Sequence, residues 1–164
     1  MRVFTAPEEL CTAVGERLGI SGYRQINQSQ IDLFGQLTGD EQWIHNDPVR
    51  AGDGPFGSTV AHGFYILALL IAMFDEIFCV QGTDLVLNKG LDRLRFSRPV
   101  PVGAKVRAVA DLAAAASRPR GFTEATVAVS VEIEGERRPA YTARLTLLFH
   151  RAESVHGEGG EESL

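Results

Sequence analysis

The chain lacks a basic excess, is nearly without cysteine, and contains no apolar run of bilayer length. Its 164 residues hold 16 Lys and Arg against 21 Asp and Glu, a formal charge of −5. A general binder of nucleic acid or of an anionic membrane surface needs the opposite balance to exploit phosphate charge, so those classes are excluded. With two cysteines, Cys11 and Cys79, there is no disulfide framework, and a reduced, cytoplasmic setting is the simplest reading. The longest apolar stretch, Phe64 through Phe74, has eleven residues, well short of the ~20 needed to span a bilayer. The first ten residues reach Glu8 and Glu9 without an apolar core, which is not the pattern of a secretory signal. No internal repeat is visible, and the length suits one domain.

The charge that is present is unevenly placed. Glu153, Glu158, Glu161 and Glu162 fall in the last thirteen residues, which contain no Lys or Arg. The sequence therefore divides into a near-neutral body over 1–151 and an acidic, Gly-rich tail over 152–164, expected to be solvated and disordered.

Periodicity organises the body. Residues 7–18 open on Pro and two acids and run to Gly19, which predicts a short helix. Tyr23 to Ile26 suggests a short strand. Ser29 is placed to cap a second helix whose apolar stripe is Ile31, Leu33, Phe34 and Leu37 and which stops at Gly39. The run from Phe64 to Phe74 is apolar on every side, so it predicts a central helix enclosed by protein nearly all round. From residue 104 the pattern changes to period two. Ala125, Val127, Val129, Val131 and Ile133 share one face, Ala143, Leu145, Leu147 and Phe149 repeat the scheme, and Gly135 to Arg138 fits a hairpin between them. Ala104 to Ala110 adds another strand, and Leu85 to Phe96 one or two more around Gly90. A curved antiparallel sheet wrapped round one long buried helix satisfies this order: an α+β protein of the single hot-dog type.

The segment from Phe34 to Ala51 carries the densest chemistry. Asp40 follows a helix end and His45 lies five residues on, an acid and a base whose ordinary pKa values bracket a range that burial can tune. By itself the spacing is weak, because Asp after Gly is a common cap and a His near Trp43 is more often a packed side chain. Two decoys fall away. Gly52 to Thr59 has phosphate-loop glycines but no Lys after Gly57. His45 and Asp47 have no third ligand at metal spacing, so no metal is expected.

Phe34, Thr38-Gly39-Asp40, His45 and Ala51 together resemble the motif of the MaoC-like dehydratases, the (R)-specific enoyl-CoA hydratases. Gln42-Trp43 stands where most members have Asn-Pro. That variant, with Gly-Pro-Phe-Gly-Ser-Thr-Val-Ala-His-Gly at 54–63 and the block at 87–103, is similar to the nodulation-protein-N-like branch, and the resemblance covers roughly residues 20–150. It implies the hot-dog fold and a reversible hydration of trans-2-enoyl-CoA to (R)-3-hydroxyacyl-CoA. Asp40 and His45 would hold water and move protons, and the Gly63 N–H at the start of the central helix would stabilise the enolate oxygen. No cofactor is implied, CoA being part of the substrate. His62 matches a His common in the family, with a loop-locking hydrogen bond as the competing role. Where some hydratases carry a helix Ser that orients the Asp, this chain has Ile71, which leaves Gln42 as a candidate partner for Asp40. Trp43 and Phe56 are candidates for the acyl pocket, with Phe34 and Phe64. Lys89, Arg93, Arg95 and Arg98 are candidates to meet the phosphates of an acyl-CoA thioester. A hot-dog thioesterase and a non-catalytic acyl-CoA-binding subunit are the alternatives. Since one hot-dog sheet leaves an open edge, a homodimer is expected.

Overall fold

A computed structural model describes residues 1–152; the expected tail lies, from Glu153 onward, outside the described residues. The chain runs β1 (Arg2–Phe4), a 3-10 helix (Pro7–Thr12), β2 (Arg17–Ile20), β3 (Arg24–Gln25), α1 (Gln28–Thr38), α2 (Trp43–Asn46) and α3 (Pro48–Gly52). It continues with α4 (Gly63–Ala68), α5 (Leu70–Ile77), β4 (Phe78–Val80), β5 (Thr83–Phe96), β6 (Lys105–Arg118), β7 (Phe122–Ile133) and β8 (Tyr141–Arg151). The six-stranded sheet has the order β2-β6-β7-β8-β5, with β3 also on β6, and its pairings are antiparallel. A small parallel pair, β1 with β4, ties the N-terminus to the end of the helix.

The period-two expectation holds along β7 and β8. Ala125, Val127, Val129, Val131 and Ile133, with Ala143, Leu145, Leu147 and Phe149, are all buried against Ile66, Leu70, Met73 and Ile77 of the helix. A helix on a sheet is stable because each covers the other's apolar face. Gly135 turns the hairpin at φ 79°, a conformation that costs glycine little. Residues 85–96 belong to one strand, not two, with register shifts at Asn88/Gly90 and Asp92/Arg95.

Three local expectations change. The helix over 7–18 is a 3-10 helix ending at Thr12, because Gly15 takes a positive φ and donates to the Leu112 carbonyl, which launches β2 along β6. The cap of α1 is Asn27 rather than Ser29. The Asn27 side chain accepts from Gln30 N, and the Gln30 side chain accepts from Asn27 N, a reciprocal capping box. The central helix is interrupted at Leu69, although Leu69 N to Tyr65 O and Met73 N to Leu69 O, both 3.1 Å, carry the helical ladder across the break. It is also not enclosed all round in a single chain: Phe64 is 66% and Ile71 47% exposed.

Candidate active site

Three segments, two of them adjacent in sequence, meet beside the start of α4. The first is the end of α1, where Gly39 adopts a left-handed φ of 75° and its N–H bonds the Gly35 carbonyl at 2.8 Å. The chain then doubles back over α1. A Cβ on Gly35 would stand 3.0 Å from the Asp40 carbonyl oxygen, so this close return depends on glycine. The second segment is α2, which carries His45. The third is the strand-like approach through Val60 and Ala61 to His62 and Gly63.

His45 is buried, and its Nδ1 lies 2.6 Å from the Val60 carbonyl. A carbonyl only accepts, so Nδ1 carries the hydrogen and Nε2 the free lone pair. Two further ties set the ring's height. Val60 N donates to Ile44 O at 3.0 Å, and the Gln28 side chain donates to the His45 carbonyl at 2.7 Å while accepting from the Thr59 hydroxyl. Burial pushes the His45 imidazole below its ordinary value of 6.5, outweighing the opposing Val60 hydrogen bond, with the neighbouring His62 lowering it further and Asp40 raising it. The ring is therefore neutral at pH 7.

Asp40 is exposed, and no side chain among the described residues bonds its carboxylate. Donor atoms of Asp40, His45 and His62 all lie within 4.8 Å of one another. Spacing alone missed this third member, because His62 arrives from another segment. The set is a poor chelate. The His45 and His62 rings stack with centroids 3.8 Å apart and planes 27° from parallel, so in-plane lone pairs run side by side instead of converging on one ion.

Gly63 begins α4, and no side chain caps the helix there, which leaves its first N–H groups without intrahelical partners. It opens onto a cavity of about 460 Å³ whose wall includes His45, Phe56, Phe64, Phe96, Arg98 and Tyr141. A Cβ on Gly63 would meet the Phe96 ring at 3.0 Å.

The other expected residues divide. Phe56, Phe64 and Arg98 reach this cavity, Arg98 while paired with Glu136 at 2.8 Å. Trp43 packs instead on Gly54 under the Arg50 guanidinium, and Phe34 packs on His62 and Tyr65. Gln42 accepts from His45 N through its own carbonyl at 2.9 Å, and its side chain makes no hydrogen bond among the described residues. It does not hold Asp40. Lys89 is paired with Glu124, and Arg93 opens onto a separate surface hollow with Asp111 and Arg144. Arg95 lies opposite Thr142 beyond the Asp92/Arg95 register shift of β5. These three basic residues are not gathered at the cavity. Gln28, Thr59, Phe96 and Tyr141 went unread in the sequence, since apolar and amide side chains far apart in the chain carry no local signature of a site.

The MaoC like domain matches residues 10–136. The chain is 46% identical over 143 residues to the 3-hydroxyacyl-thioester dehydratase Z of Mycobacterium tuberculosis, covering 87% of this chain and 95% of that one. It is 44% identical to the Nodulation protein N of Rhizobium leguminosarum bv. viciae, over 79% of this chain and 82% of the relative. The solved (R)-hydratase from A. caviae involved in PHA biosynthesis superposes with a TM-score of 0.63 at 22% identity, over 82% and 94% of the two chains, a likeness of fold. The fold and the family match define a hot-dog protein of the hydratase and dehydratase class. The chain belongs to the MaoC-like dehydratase family.

Proposed function

We propose that the chain adds water reversibly across the C2–C3 double bond of a trans-2-enoyl-CoA, giving an (R)-3-hydroxyacyl-CoA. The observation that carries this reading is the pairing of a neutral His45, its Nε2 lone pair free, with the exposed Asp40 carboxylate within 4.8 Å, beside an apolar cavity that His45 shares with Gly63. Water held between imidazole and carboxylate gives up a proton to the pair as its oxygen bonds C3. The electron pair of the double bond moves to the thioester oxygen, where the Gly63 N–H donates to it. The pair then returns a proton to C2, so the sum is one water added. The M. tuberculosis relative, named a 3-hydroxyacyl-thioester dehydratase, supports the same reaction run backward, and the (R) outcome follows the family resemblance.

Arg98, at the cavity wall, is the candidate to meet a CoA phosphate. Two further features fit a cytoplasmic homodimer: Cys11 and Cys79 are both free, and the outer edge of β5 is unpaired among the described residues. The test uses purified protein and crotonyl-CoA, following loss of the enoyl chromophore and assigning the configuration of the product. Asp40→Asn and His45→Gln are each expected to lower kcat by ~10²-fold or more with the fold retained by circular dichroism. Full activity in both variants, or release of free CoA thiol in place of hydration, overturns the proposal.

A further inference from the structure

His62 is a buried titratable group of the site to which the reaction assigns no step. It is 3% exposed, and its Nδ1 has no hydrogen-bond partner. A buried ring nitrogen left empty is unfavourable, so a residue there only to fill space would be better made of carbon. What the imidazole does make is specific. Its Nε2 lies 2.8 Å from the Asp40 main-chain carbonyl and donates to it. Its face lies on the His45 ring, with centroids 3.8 Å apart, and the tilted Phe34 ring stands 5.1 Å from it. Through its own backbone it precedes Gly63 and accepts from Ile66 N, which opens α4. One side chain thus touches the turn that carries the acid and the ring that is the base, and it is covalently next to the oxyanion donor.

We infer that His62 is a positioning residue: it clamps the Asp40 turn against the His45 ring and so sets the separation of carboxylate, imidazole and Gly63 N–H. It does not contact substrate, because its ring is enclosed by Phe34, Gly35 and His45. The inference rests on the hydration reading for its kinetic consequence and on the hydrogen bond alone for its structural one. The clamp acts at the transition state, where misplacement of an acid–base pair by about an ångström costs ~10²-fold in rate, and it leaves binding of the acyl chain in the cavity alone.

Two variants separate the clamp from mere filling. His62→Phe keeps the volume and the stacked face and removes the donor. His62→Gln places an amide N–H near the Nε2 position. The expected result is a 10- to 100-fold lower kcat with KM within twofold for His62→Phe, and recovery to within about fivefold of the parent for His62→Gln. Equal kcat in the Phe variant and the parent overturns the clamp, as does a folded Gln variant no better than Phe. If His62→Phe fails to fold, Gly35→Ala loads the same Asp40 carbonyl from the other side and must reproduce the kcat loss at constant KM; normal kcat there overturns the proposal. Imidazole ¹⁵N correlation spectra of the parent protein test the bond without any activity, with His45 expected as the Nδ1–H tautomer and His62 as the Nε2–H tautomer. An Nδ1–H tautomer at His62 overturns the clamp even if hydration is confirmed. Conversely, a parent protein inert toward enoyl-CoA but showing both tautomers sinks the reaction and leaves the clamp standing.

Discussion

With its Nδ1–H held by the Val60 carbonyl, His45 presents one basic nitrogen at a fixed height beside the cavity. Because burial lowers its pKa from 6.5, the neutral form persists below the pH at which a free histidine would charge. The rate should therefore be flat on its acid side down through pH 6.5, and the limb should fall below that value; a kcat/KM profile from pH 5 to 8 reads it. A limb at or above 6.5 would contradict a buried neutral base. Stability carries the same sign. The unfolded chain binds a proton at its ordinary value and the folded one only lower, so the contribution of the neutral ring is present above pH 6.5 and is lost as pH falls through the folded value. Asp40, His45 and Gly63 were singled out in the sequence through the family motif they resemble, since the Asp40–His45 spacing by itself fits a helix cap and a packed imidazole. A loop-locking hydrogen bond from His62 was one reading of the sequence, but its acceptor, the Asp40 carbonyl, and the Val60 carbonyl that holds His45 were not legible, since a main-chain carbonyl has no residue identity to read.

Among the elements, β7 and β8 followed from their alternation, because one face of each must meet the helix. The caps followed less well. Ser29 and Asn27 are both good cap residues two positions apart, and what decides between them is which one takes extended backbone geometry. Asn27 does, at φ −111° and ψ 160°. Asn27→Ala should then lower stability by about 1 kcal/mol, while Ser29→Ala, which loses a hydroxyl bonded to Asn27, should cost a few tenths. Urea denaturation of the two variants measures the difference, and the reverse order would restore Ser29 as the cap. α1 also shows why a stripe is not a buried face. Ile31 is fully buried, but Leu33 and Leu37 are 66% and 81% exposed, because α1 packs on the site with one side only.

At the scale of the whole molecule, β5 is an unpaired edge of the sheet among the described residues. Leu85, Val86, Leu87 and Leu91 are each about 40–50% exposed along it, and an open apolar edge strand is a surface for pairing. Sedimentation velocity at micromolar concentration should give a species of twice 17.8 kDa. Leu87→Glu should shift it toward monomer and lower activity with it; a parent that sediments as a monomer rejects the dimer. The near-neutral body keeps such pairing free of strong self-repulsion, while four acids that make most of the −5 charge lie beyond Ala152. Period and composition determined that this chain is an α+β protein with a helix on a curved sheet, because those properties repeat within a few residues. Only the tertiary structure decided that Arg98 alone of the four basic candidates reaches the cavity and that His62 joins Asp40 to His45. Those choices depend on strand register, bulges and the crossing of distant segments, which side-chain identity along the chain does not encode locally.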